Sequence, residues 1–451
     1  MTRDQSTKQR TDRHRGLRAA AACAGVAIAF ATLTAVSPAV SPSEAVTAPA
    51  SNGHPGHPTR LSLPVPSGRQ QVGEVDLHLV DSSRPDPWQT DQDHRELMVS
   101  VYYPATHTAG GSPAPYMLPR AAAHFDSVTA NGYLQMGVPT GQFDWASTLT
   151  HAVQGAPVAD RNRQRPVLIY SPGLGEPRTW GTTLVTDLAS RGYVVVTVDN
   201  TYESPEVQFP DGSLATLSMP ADPETFIDKA LAVRVTDTGF VLDQLTRLNA
   251  GQNPDADGRR LPSGLPGALD LSEVGMFGHS MGGTAAALAM DADPRISAGI
   301  DMDGNLTDYN GALMPVAEHG LAGPLLLLGK DGSTDTGPGW DAFRAHTPGW
   351  TRQLTLRGSE HASFTDAEAL VPQLHLPVAT RTDDIGTIDP ATAIRTDEAY
   401  VSAYFDHWLR GRSGRLLDGP SPRYPAMEFV DRRQRPLDSG TAGLRDASWL
   451  P

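Results

Sequence analysis

The sequence predicts an α/β protein built on a mostly parallel, doubly wound sheet with helices on both faces. Short, continuously apolar runs, typical of strands buried on both faces, alternate along the chain with amphipathic helical stretches. Apolar residues make up 39% of the 451, which is enough for one sizeable core. The 43 glycines and 38 prolines indicate many turns and long loops. We therefore expect one large domain with insertions.

Residues 1–45 have the pattern of a secretory signal peptide. Basic residues between Lys8 and Arg18 precede an apolar run over 19–36, and small residues and prolines follow it. This is the order of the n-region, the h-region and the cleavage zone of exported proteins. Cleavage is expected near Ala45 or Ala50, giving a secreted, extracellular protein. A retained membrane anchor is the alternative, because the apolar run is long.

The next stretch, residues 46–70, is rich in Pro, Gly, Ser and His and has no periodicity. It is predicted to be a flexible linker that leads to a catalytic domain over 71–451. The only cysteine, Cys23, lies inside the apolar run, so neither a disulfide nor lipid attachment is expected.

The folded part is expected to open with two antiparallel strands, over 74–80 and 96–103. Continuous apolar runs then predict buried parallel strands over 166–171, 193–198, 273–277, 296–302, 324–328 and 353–356. Apolar spacing typical of helices covers 179–191, 223–248, 282–290 and 399–409. Because strands and helices alternate, a doubly wound sheet follows.

A long insertion, about residues 113–160, separates the 96–103 strand from the 166–171 strand. Its apolar residues, including Phe143 and Trp145, lack sustained helical or alternating spacing, so irregular structure with short helical pieces is predicted. Loops this long are uncommon without a role, which favours a lid or a wall of the acyl site. The alternative is a satellite core packed beneath a loop.

The stretch Gly278-His-Ser-Met-Gly282 joins the predicted 273–277 strand to the predicted 282–290 helix. A Gly-x-Ser-x-Gly string in this position is typical of a nucleophile elbow, a sharp turn that holds a serine hydroxyl out of the sheet. Glycines are needed there because side chains would collide with neighbouring backbone. Ser280 is therefore the candidate nucleophile. The alternative is a serine that only caps the following helix.

A glycine-rich loop, Ser171-Pro-Gly-Leu-Gly175, follows the first buried parallel strand. In an elbow hydrolase, one N–H of this loop and the N–H of the residue after the nucleophile bind the developing oxyanion. These criteria select the amides of Leu174 and Met281. The alternative is an ordinary glycine-rich turn.

Five histidines follow Ser280, and His361 is the candidate base among them. It comes just after the 353–356 strand, at a carboxyl end where doubly wound sheets gather their ligands. Two carboxylates could orient its imidazole: Asp303, at the end of the 296–302 strand, and Asp331, after the following strand. Spacing alone leaves both open.

Four stretches together resemble the platelet-activating-factor acetylhydrolase family of the plasma and isoform II type. They are Ser171-Pro-Gly-Leu-Gly-Glu-Pro-Arg178, Gly278-His-Ser-Met-Gly-Gly283, Gly299-Ile-Asp-Met-Asp-Gly304 and Gly358-Ser-Glu-His-Ala-Ser-Phe-Thr-Asp366. The order and the intervals also match. The stretches Arg95-Glu-Leu-Met-Val-Ser-Val-Tyr-Tyr-Pro104 and Tyr424-Pro-Ala-Met-Glu-Phe429 extend the resemblance to about residues 71–430.

The resemblance implies the α/β-hydrolase fold and a serine esterase that works through an acyl-enzyme. It assigns the acid to Asp303 and the oxyanion amides to Leu174 and Met281. The implied substrate is a small-molecule or lipid ester, such as the short sn-2 acyl group of a phospholipid, met through transient contact with a lipid surface. Pro172 stands where the animal enzymes typically carry His, so choline-phospholipid specificity is not implied.

No metal or organic cofactor is expected, and the acidic string Asp255-Ala-Asp-Gly258 is more simply a solvated loop than a cation site. The formal net charge of -15 argues against a nucleic-acid partner. Two alternative functions stay open. One is a cutinase-like polyester hydrolase or lipase, which the Asp331 to His361 interval also suits, and the other is a catalytically silent binding protein of the same fold.

Overall fold

The structure, a computed structural model, describes residues 58–106, 108–132, 134–220, 223–332 and 337–430. The predicted signal peptide, Cys23 and the beginning of the predicted linker lie outside these residues. Among the helices in the described ranges, none combines the length and the apolar character that a membrane span requires.

The described chain alternates strands and helices. The strands are β1 (Thr59–Ser62), β2 (Gln71–Asp81), β3 (Arg95–Ala105), β4 (Pro113–Pro115), β5 (Phe143–Gln154), β6 (Arg165–Ser171), β7 (Val194–Asp199), β8 (Glu206–Gln208), β9 (Leu214–Thr216), β10 (Leu269–His279), β11 (Ile296–Met302), β12 (Leu325–Lys330), β13 (Thr351–Leu356) and β14 (Met427–Phe429). The α-helices are α1 (Pro119–His124), α2 (Ala130–Gly132), α3 (Thr182–Ser190), α4 (Pro223–Asn249), α5 (Met281–Ala292), α6 (Pro315–His319), α7 (Gly337–His346), α8 (Ala367–Leu370), α9 (Val378–Ile385) and α10 (Pro390–Arg410).

Twelve strands form one sheet in the order β1-β5-β2-β3-β7-β6-β10-β11-β12-β13-β14, with β4 paired to β5. The six strands from β7 to β13 in this order are mutually parallel. The hairpin of β2 and β3 joins them antiparallel through β3, and β14 closes the far edge antiparallel. The mostly parallel sheet predicted from the apolar runs is confirmed.

Helices cover both faces of this sheet. Side chains alternate across a strand, so Val167 and Ile169 of β6 belong to a core shared with α4, α5, α6 and α7. Leu168 and Tyr170 belong to a second core, shared with α3 and α10. The doubly wound arrangement of the α/β-hydrolase fold is therefore confirmed.

The stretch expected to be a linker, residues 46–70, is ordered structure from Thr59 onward. Strand β1 pairs parallel with β5, and Leu61 and Leu63 are buried in a third core. Ser67 then donates its backbone N–H to the Asp187 carboxylate of α3 at 2.7 Å. The predicted end of the linker, at residue 70, was therefore wrong. Little in the sequence indicated this, because the segment has only two buried apolar residues and these pack against the insertion, which is distant in the chain.

The insertion is also more regular than predicted. It contains β4, α1, a π-helical segment over Phe125–Thr129, α2 and the 12-residue strand β5. Strand β5 was not predicted because its buried and exposed residues reverse the usual pattern of apolar residues inside and polar residues outside. Thr148 and Thr150 are buried, whereas Leu149 between them is 41% exposed. The predicted short helical pieces are present, but the prediction that the rest of the insertion is irregular was wrong.

Phe143 and Trp145, which begin β5, are buried in the third core. The ring centroid of Trp145 lies 4.8 Å from that of Phe125, and its indole N–H donates to Asp126 at 3.0 Å. The same core includes Trp180, which follows the glycine-rich loop, and Leu370 of α8, which follows His361. Of the two interpretations of the insertion, this packing favours a satellite core over a lid.

Candidate active site

Ser280 lies at the junction of β10 and α5 in a strained turn, with φ 55° and ψ -125°. Such a conformation is costly for a residue with a side chain and is typical of functional sites. The flanking glycines are required sterically: a Cβ on Gly278 would lie 2.5 Å from the Ser171 carbonyl oxygen, and one on Gly282 would lie 2.7 Å from that of Pro172. The end of β6 therefore packs directly against the elbow.

His361 opens the 3-10 turn His361–Phe364, which follows β13. Its Nδ1 lies 2.5 Å from Oδ2 of Asp303, a buried residue at the end of β11 with φ 55°. The other carboxylate oxygen of Asp303 accepts the Lys330 backbone N–H at 3.0 Å. Burial alone would raise the pKa of Asp303, but the hydrogen bond and the charge interaction with His361 lower it below its usual value. Asp303 is therefore an ionised partner for the imidazole.

Asp331, the other candidate acid, serves a different contact. Its Oδ2 accepts the backbone N–H of Gly358 at 2.7 Å, and its own N–H donates to the Ser359 hydroxyl at 3.2 Å. Among the contacts of the described residues, Asp331 thus braces the loop that carries His361 instead of meeting its ring.

The two amides predicted for the oxyanion site belong to neighbouring segments. Leu174 lies in the turn after β6, where Gly175 adopts a φ of 72°, and Met281 is the first residue of α5. Neither N–H has an acceptor among the hydrogen bonds of the described residues. An amide at a helix N-terminus also carries the positive end of the helix dipole, so Met281 can donate to an anionic oxygen.

Two further buried residues contact this site, and sequence reasoning missed both. His279 precedes Ser280, and its Nδ1 lies 2.9 Å from Oε1 of Glu176, which follows the glycine-rich loop. Its Nε2 lies 2.9 Å from the backbone carbonyl oxygen of His361. The only local signal was an acid directly after the glycines and a histidine directly before the serine.

The acidic string Asp255-Ala-Asp-Gly258 was expected to be a solvated loop, but its first residue, Asp255, is buried and paired within the fold. Asp255 accepts hydrogen bonds from Arg259 at 2.6 Å and from the His78 backbone N–H at 3.0 Å. In the part of the chain that the structure describes, no group of three or more His, Cys, Asp or Glu side chains is arranged to hold a metal ion.

A strained serine at the end of a central parallel strand, with an aspartate-paired histidine on a later loop at the same end of the sheet, defines the class of α/β-hydrolase-fold enzymes. The family model for platelet-activating factor acetylhydrolase, isoform II, matches residues 59–409. The chain belongs to this family and is a carboxylic ester hydrolase. The resemblance seen in the sequence motifs is thereby confirmed.

Individual relatives agree with this assignment. The chain is 28% identical over 400 residues to a probable 1-alkyl-2-acetylglycerophosphocholine esterase of Arthroderma benhamiae. The alignment covers 83% of this chain and 95% of that relative. It is 23% identical over 244 residues to the platelet-activating factor acetylhydrolase of Canis lupus familiaris, covering 50% of this chain and 53% of that one. A ferulic acid esterase from Streptomyces cinnamoneus has a similar structure, with a TM-score of 0.68 and 33% sequence identity over 83% of this chain and 100% of that one.

Proposed function

We propose that the chain hydrolyses carboxylic esters through a catalytic triad of Ser280, His361 and Asp303. The observation that carries this proposal is the 2.5 Å contact between Nδ1 of His361 and the Asp303 carboxylate. Because Nδ1 donates its proton to that carboxylate, Nε2 is left as the acceptor, which is the tautomer a general base requires. Ser280, in its strained turn, supplies the nucleophile.

The reaction then has two steps. The Ser280 hydroxyl oxygen attacks the ester carbonyl carbon while His361 takes the hydroxyl proton, and the amides of Leu174 and Met281 stabilise the oxyanion of the tetrahedral intermediate. His361 returns the proton to the departing alcohol, leaving an acyl group on Ser280. His361 then takes a proton from a water molecule, whose oxygen attacks the acyl carbonyl carbon. The bond between the acyl group and the Ser280 oxygen breaks, the carboxylic acid is released, and His361 returns the proton to that oxygen.

Two substrate classes follow from the relatives. The family and the Arthroderma relative support short acyl esters of the 1-alkyl-2-acetylglycerophosphocholine kind. The structural neighbour supports feruloyl esters, and at 33% its identity exceeds the 28% of the Arthroderma relative. The cutinase-like alternative depended on the sequence interval between Asp331 and His361. Asp331 accepts the backbone N–H of Gly358 instead, so this interval does not support that alternative.

The test combines labelling with a substrate panel. Wild-type chain should react with a fluorophosphonate at Ser280, and the variant Ser280→Ala should lose both labelling and hydrolysis, with turnover falling on the order of a millionfold. The panel should include p-nitrophenyl esters of increasing acyl length, a short sn-2 phospholipid, methyl ferulate and a polyester film. Labelling of another serine would refute the assignment, and an unreactive wild-type chain would support the silent binding protein.

We also propose that the protein is exported after removal of its first 45 to 50 residues. The support is the order of basic, apolar and small residues over 1–45. Expression of the full chain with sequencing of the mature N-terminus tests it. A secreted product that begins shortly after Ala45 or Ala50 is expected, whereas a product that keeps its N-terminus in the membrane fraction would contradict cleavage.

A further inference from the structure

A second histidine–carboxylate pair, Glu176 and His279, is buried beside the proposed triad. Both side chains have less than a tenth of their surface exposed. The pair joins the turn after β6 to the last residue of β10, which are 103 residues apart in the chain. The centroids of the His279 and His361 rings are only 4.4 Å apart. The pair therefore contacts the elbow and also the base loop, residues 357–364, which follows β13 and carries His361.

The contacts determine the protonation of His279. The His361 carbonyl oxygen can only accept a hydrogen bond, so Nε2 of His279 carries a proton. Burial alone would lower the pKa of His279, but the charge of Glu176 and its hydrogen bond raise it. Burial alone would raise the pKa of Glu176, but His279 lowers it. Glu176 and Asp303 supply the negative charges that raise the pKa of His279, whereas burial raises the pKa of the nearby Asp301 to about 7. The directions for Glu176 and His279 together describe an ion pair.

Each partner also holds a second piece of backbone. Oε2 of Glu176 accepts the N–H of Gly173 at 2.6 Å, which sets the turn immediately before the Leu174 amide. The carbonyl oxygen of Gly173 is held from the other side by Arg234 at 3.3 Å. His279 holds the backbone of His361 at 2.9 Å. One ion pair thus connects three segments: the oxyanion turn, which is residues 172–175 after β6, the elbow and the base loop.

We propose that Glu176 and His279 are positioning residues for ester hydrolysis, which fix the Leu174 N–H and the His361 imidazole relative to the Ser280 hydroxyl. This inference rests on the proposed function of the triad. Misplaced groups of this kind raise the energy of the transition state more than that of the bound substrate, because the oxyanion forms only during the reaction. Disruption of the pair should therefore lower kcat and leave KM nearly unchanged.

The experiment is a double-mutant cycle with Glu176→Gln, His279→Gln and the double variant. Active sites are titrated with a fluorophosphonate, and kcat and KM are measured per titrated site with a p-nitrophenyl ester. We expect each single variant to lose about 10- to 100-fold in kcat, the effect typical of slight misplacement, with KM within about twofold of wild type. The double variant should be no slower than the slower single variant, because both substitutions remove the same interaction.

A matched control is His124→Gln. His124 forms another histidine–carboxylate pair, 2.8 Å from the buried Glu206, and its described contacts do not include the elbow, the oxyanion turn or the base loop. Its kcat per titrated site should equal that of the wild type.

Three outcomes would overturn the proposal: a wild-type kcat per titrated site in Glu176→Gln, an equal loss in the His124 control, or a loss that falls on KM alone. Where Glu176→Gln does not fold, as judged by its melting transition, Glu176→Asp and His279→Gln carry the same comparison. Failure of the proposed function is a separate result, since wild-type protein would then not label at Ser280.

Discussion

Asp303 and Asp331 are close in sequence and follow neighbouring strands, yet they have different partners. Asp303 has a positive φ of 55°, and its carboxylate meets the His361 ring. Asp331 instead receives the Gly358 N–H and stabilises the start of the base loop. Two carboxylates that spacing alone could not separate therefore differ in what their removal should do.

The first prediction compares Asp303→Asn with Asp331→Asn. The amide at 303 can donate to Nδ1, which would favour the wrong tautomer of His361, so turnover should fall by about 10⁴-fold while the fold is kept. Asp331→Asn keeps an acceptor for Gly358 and should change turnover by less than about tenfold. Steady-state kinetics and thermal melting of both variants provide the check. The reverse ranking would assign the acid to Asp331 and favour the cutinase-like alternative.

At the scale of single elements, β5 and its neighbours connect the insertion to the sheet. Strand β5 pairs with β1, β2 and β4, and its first residues pack in the third core together with Leu370 of α8. Because α8 follows the His361 turn, this core supports the base loop from behind. The insertion is thus positioned to act on stability more than on the choice of acyl group.

The second prediction concerns Trp145→Ala in β5. Loss of an almost completely buried indole should lower the free energy of unfolding by about 3–5 kcal/mol, with an unchanged preference among acyl lengths. Leu149→Ala in the same strand is the control, since Leu149 is 41% exposed and should cost little. Urea unfolding and the p-nitrophenyl ester series measure both effects. If Trp145→Ala instead changes the preference among acyl lengths and loses little stability, the result would support the lid interpretation.

Helix α10 contains a buried carboxyl cluster that apolar periodicity did not reveal. The sequence predicted a helix only over 399–409, but the helix begins at Pro390, where Asp389 caps it by accepting the Thr392 N–H at 2.9 Å. Its first half buries polar residues, among them Asp397 and Glu398. Burial raises the pKa of Glu398 to about 8 and that of Glu368, on the adjoining α8, likewise to about 8. These acids are therefore neutral in the folded protein near neutral pH.

The third prediction follows from Glu368. Its pKa rises from 4.5 to about 8 on folding, so the folded state binds a proton that the unfolded state has lost. Its contribution to stability is complete below pH 4.5 and is lost as the pH rises through about 8. Glu368→Gln should therefore be more stable than wild type at pH 9, but not at pH 5. The gain at pH 9 should exceed about 1 kcal/mol, since one pKa unit corresponds to about 1.4 kcal/mol.

Urea unfolding at pH 5 and pH 9 tests this difference, with Glu318→Gln as the control because Glu318 is exposed on α6. A stability difference between wild type and Glu368→Gln that does not change with pH would show that Glu368 has an ordinary pKa in the folded protein.

At the scale of the whole molecule, the parallel sheet assembles the site. Strands β6, β10, β11, β12 and β13 are consecutive parallel neighbours, so their carboxyl ends lie along one edge. The glycine-rich loop, the elbow, Asp303 and His361 each follow one of these strands. The chain as a whole has a formal net charge of -15. A net charge of this sign repels an anionic ester, and dissolved salt screens that repulsion.

The fourth prediction is a salt effect that depends on substrate charge. Raising the ionic strength from about 10 mM to about 200 mM shortens the screening length severalfold, so kcat/KM for an ester with a free carboxylate should rise by about twofold or more. A neutral ester of the same acyl group should change little and serves as the control. An equal response of both esters would mean that the net charge does not govern substrate approach.

The sequence by itself determined the central strands and singled out Ser280 as the candidate nucleophile and His361 as the candidate base. Strands such as β7 and β11 are buried on both faces along most of their length, so most of their residues are apolar whichever strands lie beside them. The elbow is likewise local, since five consecutive residues specify a turn that excludes side chains at Gly278 and Gly282. The buried-strand pattern and the elbow motif can both be recognised without knowledge of the fold, because each depends on residues adjacent in the chain.

Spacing in the sequence left Asp303 and Asp331 open, and only the family resemblance favoured Asp303. The tertiary structure decided that Asp303 contacts His361, where β1 and β5 lie, and that Glu176 pairs with His279. Each depends on residues far apart in sequence: 58 positions separate Asp303 from His361, and 103 separate Glu176 from His279. The inward threonines of β5 are compatible with burial only because that strand finds partners in the sheet. Such contacts arise from the order and register of strands, and no local pattern of residues encodes that order.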